Sequence, residues 1–394
     1  MWYWILIYLF WRTLRYCLQT YRLQRPQRKY THFGQVDVRK KLPGATKRPI
    51  VVTGGAGFLG SKIIEYLLLQ GETKIWLLDL VPPSKTYDAR VQFRQCDIQN
   101  RSQVFSLIAE ASPTTIYHVA AFMCFAHTQL HQWRRAYAIN VQGTVNLRDA
   151  SLKHNVARFI YTSSSTVSVS KTNAHQNMTE EDAYVTKSTT LSHYQLTKAL
   201  AEKCIRESHG KRLANGEKFQ TIVVRPTSMV FGAGEKCGPL SLALNTYFAP
   251  LLNPKTMLDV VSVENVAYGE LLAEYALRTR PSEVGGEAFC ISNADPVRWA
   301  DLYLLLQVHQ RIVLVTLMPW MYLSFAYLSE IVQWAFRGRM SLGSLDQLSL
   351  ATVALSLREY TFRPDKAKQL LGYEPLYTLE QGLEILYHAC SQVQ

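Results

Sequence analysis

Ile50-Val51-Val52-Thr53-Gly54-Gly55-Ala56-Gly57-Phe58-Leu59-Gly60 runs from four β-favouring residues into glycines at 54, 57 and 60, and Ile63, Ile64, Leu67 and Leu68 follow at helical intervals. The pattern predicts a strand, a glycine turn and a helix. Gly54 permits the tight turn, Gly57 lets the backbone approach a pyrophosphate, and Gly60 lets the helix lie close on the strand. Free N–H groups at the helix start favour negative charge there. A second strand, Lys74 to Leu78, ends in Asp79, nineteen residues after Gly60. A carboxylate there accepts bonds from the adenosine ribose hydroxyls and repels a 2'-phosphate, which favours NAD over NADP.

Further strands are predicted at Val91 to Cys96, Ile116 to Val119, Phe159 to Thr162 and Thr221 to Val224, with helical stretches between them. This alternation is the signature of an α/β, Rossmann-type doubly wound parallel sheet. Asp97, just after the third strand, is placed either to bond the adenine amino group or to cap the following helix. With 48% hydrophobic and 19% charged residues in 394, the chain has material for a large core and is no coiled coil, collagen or disordered polymer. Its seven cysteines form no Cys-x-x-Cys pair, which argues against a disulfide framework or zinc ribbon and for a body in reducing cytosol.

Tyr194 and Lys198 lie four apart in a helical segment, His193 to Ile205, so both side chains share one face. Chance supplies about one Tyr-x-x-x-Lys in a chain of this composition, so the context carries the inference. Thirty residues upstream, a strand ends in Tyr161-Thr162-Ser163-Ser164-Ser165, and the carboxyl ends of such strands are where substrate and cofactor meet. A free tyrosine is a poor base at neutral pH. A nearby ammonium is expected to stabilise its phenolate by roughly two pKa units, which makes Tyr194 a candidate proton acceptor. Ser164 would orient the reacting oxygen, and Lys198 would also hold the nicotinamide ribose.

These residues resemble the extended short-chain dehydrogenases. Within them they resemble the 3β-hydroxysteroid dehydrogenase/isomerase family, which includes the sterol-4α-carboxylate 3-dehydrogenases. The resemblance covers about residues 49 to 390 and is carried by Thr53 to Gly60, Tyr117-His-Val-Ala-Ala121, Asn140-Val-Gln-Gly-Thr144, Tyr161-Thr-Ser-Ser164, Tyr194 to Lys198, Val224-Arg-Pro226 with Phe231-Gly232, Val261 to Ala267, and Lys366 to Pro375. It implies Ser164, Tyr194 and Lys198 as the catalytic group. It also implies a cofactor cradle of Gly54, Gly57, Phe58, Leu59, Gly60, Asp79, Asp97, Ile98, Ala120, Lys198 and Pro226, with Thr227 beside Pro226 over the nicotinamide. The implied activity is NAD-dependent oxidation of the 3β-hydroxyl of a sterol or steroid, followed by loss of a C4 carboxyl group or by double-bond isomerisation. Ser168-Val169 stands where the family often has Tyr-Gly, so the resemblance does not fix the substrate loop, about 167 to 190. A nucleotide-sugar epimerase or dehydratase of the same superfamily is the competing enzyme class. A non-catalytic NAD-sensing module is the third, at odds with the presence of all three catalytic residues.

The formal charge of +13 is concentrated: residues 1 to 50 hold eleven bases and one acid, leaving 32 bases against 29 acids for the rest. A nearly neutral body without a basic aromatic face argues against nucleic acid. Residues 1 to 11 are uncharged and rich in Trp and Tyr but too short to span a bilayer. Residues 1–23 are therefore expected to be an interfacial membrane anchor and 24–48 a basic linker. A dinucleotide-binding domain, 49–239, and an interleaved substrate lobe, 240–394, should follow. The stretch 312–336 carries one charge, Glu330, and is interrupted by Pro319. Its first 18 residues are uncharged, long enough for a membrane-helix candidate, and two shorter helices docking shallowly or a buried core hairpin are the alternatives. The expected location is the membrane of the endoplasmic reticulum, or a lipid droplet, with the body facing the cytosol. Partners are then a sterol or steroid and a membrane surface, and a homodimer is one assembly the sequence allows. His127 and His131 have metal-like spacing without a third ligand, so no metal is expected.

Overall fold

The computed structural model describes residues 7–8, 11–12, 36–123, 130–172, 175–227, 229–235, 240, 243–244, 248–251, 253–307, 313–315, 318–335 and 349–391. Most of the expected anchor, and the side chains of His127 and His131, lie outside these residues. The end of the linker is docked on the body, where the buried carboxylate of Glu72 accepts from the amides of Thr46 (2.5 Å) and Lys47 (2.8 Å).

Seven parallel strands form the central sheet: β1 (Ile50–Thr53), β2 (Ile75–Asp79), β3 (Val91–Gln95), β4 (Thr115–His118), β5 (Arg158–Thr162), β6 (Gln220–Pro226) and β7 (Ala288–Ile291). Their order is β7-β6-β5-β4-β1-β2-β3. Side chains alternate across the sheet. Ile50 and Val52 pack with Ile63, Ile64 and Leu67 of α1 (Phe58–Gln70). Val51, Ile116 and Phe159 pack on the opposite face with Val104 and Ile108 of α2 (Arg101–Ala111) and Leu147 of α3 (Thr144–Lys153). Helices on both faces explain why the inner strands are largely apolar, while the edge strand β3 alternates and is half-buried. Each large side chain buried this way contributes about 1.5–3 kcal/mol. The chain winds outward from β1 to β3 and then returns to β4 on β1's other side. A crevice therefore opens at the carboxyl ends of β1 and β4, the place where such sheets bind ligands.

Two further helices bracket the site, α4 (His193–Arg206) and α5 (Val263–Thr279). β7 was not expected from the sequence, and it lies beyond residue 240. Conversely, His175–Met178, from the undetermined substrate loop, joins a small sheet in the order Val297–Arg298, Met257–Leu258, Tyr360–Phe362, His175–Met178. The lobes thus exchange strands across residue 239. The smaller lobe has its own core, including Met229, Phe231, Leu258, Trp299, Leu302, Tyr303 and Leu383.

The apolar stretch 312–336 is not one helix. Val313–Val315 is a strand paired with Phe248–Pro250, and Pro319 opens α6 (Pro319–Ala335), where its missing N–H costs nothing. Tyr322 and Ala326 of α6 pack with Val353 of α7 (Leu350–Ser356). The helix is inverted relative to a surface helix of a soluble domain. Ser329, Glu330 and Gln333 are buried, whereas Trp320, Leu323, Phe325, Tyr327, Leu328, Ile331 and Trp334 are exposed. Glu330 is turned inward because its carboxylate accepts from the amide of Leu350 (3.0 Å) at the start of α7. No helix among the described residues is long and apolar enough to cross a membrane.

Candidate active site

Gly54 has φ +69°, and a Cβ there would stand 2.8 Å from the Cα and N of Ala120 at the end of β4. At Gly60 a Cβ would stand 2.1 Å from the carbonyl oxygen of Gly54. The two glycines therefore let α1 start against the turn and the turn lie against Ala120, with Phe58 and Leu59 opening the helix. Gly55, which the sequence reading left without a role, is demanded by packing: its Cβ would meet the side chain of Leu77 on β2 at 2.6 Å.

Asp79 closes β2 beside this turn, and its carboxylate accepts from Ala56 N (3.0 Å) and Leu80 N (2.7 Å). Each oxygen keeps a lone pair for a further donor. Asp97 is partly exposed and accepts from the Gln99 amide (2.9 Å). The helix it might have capped is capped by Asn100 instead. Ile98 is buried against Gly143, and its carbonyl accepts from Asn146 Nδ2 (2.9 Å). Pro226 ends β6, and Thr227 beside it is 2% exposed with a hydroxyl that has no partner among the described residues.

The catalytic candidates meet at the carboxyl end of β5. Ser164 lies two residues beyond the strand, nearly buried, with its hydroxyl 2.9 Å from that of Thr166. Ser192 caps α4, fixing the turn that presents Tyr194. The Ser164 side chain is near enough to the Tyr194 phenol to favour its phenolate. Lys198, one turn further, is 2% exposed. Its ammonium donates to the Thr162 carbonyl (2.5 Å) and lies 4.6 Å from the centre of the Tyr161 ring.

The electrostatics differ from the sequence expectation. Desolvation pushes the Tyr194 phenol up to about 12, only partly offset by Ser164. The Lys198 ammonium is held at the Thr162 carbonyl, one helical turn from Tyr194. Burial also pulls Lys198 itself down to about 7, against the opposing pull of Glu202 and Glu270.

Three supporting groups had no assigned role in the sequence reading, although two lie in stretches that carried the family resemblance. Asn140 accepts from Phe122 N (2.7 Å) and donates to Phe122 O and Thr197 Oγ1 (3.0 Å each), tying the loop after β4 to α4. His118 is fully buried; its Nδ1 accepts from Thr53 (2.7 Å) and its Nε2 donates to Thr144 (2.8 Å), whose own proton goes to the Asn140 carbonyl. Burial and the Lys198 charge pull it down to about 3, so this imidazole is neutral. Glu202, one turn beyond Lys198 on α4, is ion-paired with buried Arg225 (2.7 Å) and accepts from Ser163 (2.5 Å) and Tyr184 (2.8 Å). Among the described residues no cluster of potential metal ligands occurs.

The 3-beta hydroxysteroid dehydrogenase/isomerase family matches residues 51–312. 3beta-hydroxysteroid-dehydrogenase/decarboxylase isoform 2 of Arabidopsis thaliana is 29% identical over 360 residues, which is 86% of this chain and 61% of the relative, so the chain spans about three fifths of that protein. 3 beta-hydroxysteroid dehydrogenase type 7 of Homo sapiens is 27% identical over 359 residues, 86% of this chain and 94% of the relative. Among solved structures, UDP-glucose 4-epimerase of Thermotoga maritima with UDP-glucose superposes with a TM-score of 0.66 at 19% identity, covering 87% of this chain and 99% of that one. The dTDP-glucose 4,6-dehydratase of Bacillus anthracis in complex with NAD does so with 0.63 at 20% identity, covering 87% and 96%. These two likenesses establish the fold. With the family match spanning the central sheet and the helix that carries Tyr194 and Lys198, this chain belongs to the 3β-hydroxysteroid dehydrogenase/isomerase family of the extended short-chain dehydrogenases.

Proposed function

We propose that the protein oxidises the 3β-hydroxyl of a sterol or steroid to the 3-ketone, with NAD as the oxidant. The observation that carries this reading is the meeting of Ser164, Tyr194 and Lys198 at the end of β5, in the crevice bounded by the glycine turn. The residues present fit the dinucleotide. Gly54 and Gly60 bring the turn against Ala120 and the start of α1, whose first N–H groups have no side-chain cap and suit a pyrophosphate; Asp79 keeps free lone pairs for ribose hydroxyls, and the buried Thr227 hydroxyl awaits an acceptor or donor near the nicotinamide end. When bound, NAD supplies a sink for the C3 hydride. Tyr194 takes the hydroxyl proton, Ser164 hydrogen-bonds the same oxygen and orients it, and Lys198 provides the positive charge that favours a phenolate. If the substrate carries a 4α-carboxyl group, the product is a β-keto acid, which loses CO2 without a dedicated acid from the protein.

The exposed face of α6 supports a lipid surface as the place of work. Seven large apolar side chains, two of them Trp, project from it while Ser329, Glu330 and Gln333 point inward. That arrangement is stable where the outward medium is apolar, and Trp and Tyr favour the headgroup level. The uncharged aromatic run at residues 1–11 and the basic segment after it add a second contact. The reading places the protein on the cytosolic side of the endoplasmic reticulum membrane or of a lipid droplet, where its substrate dissolves.

Turnover with NAD is tested on a 3β-hydroxysteroid, a 4α-carboxysterol and UDP-glucose side by side. Ketone formation from either of the first two is expected. Turnover of UDP-glucose alone would reassign the chain to nucleotide-sugar chemistry.

A further inference from the structure

Two buried carboxylates face the Lys198 ammonium, and only one is neutralised by a cation of its own. Glu202 is claimed by Arg225, with hydroxyl donors from Ser163 and Tyr184. Glu270, in the middle of α5, is fully buried, and its Oε1 accepts a single hydrogen bond, from the hydroxyl of Thr162 (2.6 Å). Its Oε2 has no hydrogen-bond partner among the described residues. Thr162 is therefore gripped from two sides, its carbonyl by Lys198 and its hydroxyl by Glu270. A carboxylate beneath a catalytic lysine, with one oxygen bare, is costly for the fold alone.

We propose that Glu270 is a positioning residue of the reaction: through Thr162 it fixes Lys198 at the end of β5, and its negative charge keeps that lysine cationic. This rests on the reading of Tyr194 and Lys198 given above. The charged and titratable groups around Glu270 are Lys198 and Glu202 from α4, Tyr117 from β4, and Glu274 from its own helix. Glu274 is occupied by Arg158 (2.9 Å) and Arg278 (3.4 Å), which leaves Lys198 as the cation that Glu270 serves. Desolvation raises Glu270 to about 8 and lowers Lys198 to about 7. Each charge opposes the other's shift: the Glu270 carboxylate favours the Lys198 ammonium, and the ammonium favours the carboxylate.

Replacing Glu270 by Gln keeps an acceptor for Thr162 and removes the charge. Lys198 then loses its proton more readily, and the Tyr194 phenolate loses its counter-ion. The ascending limb of kcat/KM against pH, measured with NAD and a 3β-hydroxysteroid, should move to higher pH by about one unit, whereas Glu270→Asp should leave it near the wild type. A purely structural Glu270 would not move the limb. Melting without substrate gives an independent readout: any cost of Glu270→Gln should be smaller in a Lys198→Met background, because the buried cation that Glu270 serves is then gone. An unmoved limb, or the same cost of Glu270→Gln with and without Lys198, overturns the proposal. If the wild type turns over no 3β-hydroxysteroid, or Tyr194→Phe equals it, the reaction reading fails instead, and the melting comparison still decides the role of Glu270.

Discussion

A tyrosine held near 12 by burial is a poor base, so the chemistry at Tyr194 depends on how Lys198 and the bound reactants share charge around it. Tyr194→Phe and Lys198→Met are each expected to lower kcat by at least about 100-fold, with NAD binding retained in the Tyr variant and weakened in the Lys variant. Steady-state rates with equilibrium NAD titration check both, and near-normal turnover by Tyr194→Phe would remove the mechanism. Asp79→Ala should narrow the preference for NAD over NADP, since the carboxylate both binds ribose hydroxyls and repels a 2'-phosphate; equal use of the two by the wild type would contradict its role. His118 tests the buried network by pH. Its folded pKa, about 3, lies below its ordinary 6.5, so the unfolded chain takes up the proton first. Stability is full above about 6.5 and is lost as pH falls toward 3. His118→Gln should flatten that loss in urea unfolding between about pH 7 and pH 4. The residue types at the site were legible because spacing alone puts Tyr194 and Lys198 on one helix face and the three glycines in one turn. What spacing cannot show is where a long side chain points. Lys198 reaches the Thr162 carbonyl, and Glu202 and Glu270, distant in sequence from the serine strand, complete its surroundings.

Among the elements, the glycine turn and α6 tolerate change least and most differently. Gly60→Ala drives a Cβ into the Gly54 carbonyl and should cost about 1–3 kcal/mol of stability, together with a loss of NAD affinity, seen in melting with and without NAD. On α6, the exposed pair Trp320→Glu/Leu323→Glu should leave melting unchanged within about 0.5 kcal/mol, as for other surface positions, while reducing binding to anionic lipid vesicles; unchanged vesicle binding would take the helix out of the membrane contact. The sequence showed α6 only as an apolar stretch. Its inverted orientation follows from Glu330 reaching the start of α7, a contact between segments that no periodicity contains. β1, β2, β4, β5 and β6 were readable because burial on both faces makes them largely apolar, whereas the edge strand β3, Val91-Gln-Phe-Arg-Gln95, is only half-buried and alternates. β7, Ala288-Phe-Cys-Ile, is as apolar but sits after a long stretch of substrate lobe, where nothing in the local pattern marks it as part of the first sheet.

At the scale of the whole molecule, strand exchange makes cofactor and substrate halves one mechanical unit. β7 comes from the C-terminal half to pair with β6, and His175–Met178 leaves the N-terminal half to pair with Tyr360–Phe362. α5 carries Glu270 against the end of β5, so the same helix that covers the sheet reaches the strand end that also holds Lys198. A cut at residue 239 should therefore yield no separately folding cofactor domain, and the 1–239 fragment is expected to lack a cooperative melting transition. The account stands most directly on where the C3 hydrogen goes. A 3β-hydroxysteroid bearing deuterium at C3 is incubated with the protein and NAD, and both products are analysed by mass spectrometry. The expected result is deuterium on the reduced nicotinamide and an unlabelled C3 ketone, with transfer lost in Tyr194→Phe. No transfer by the wild type, or equal transfer by Tyr194→Phe, would contradict it.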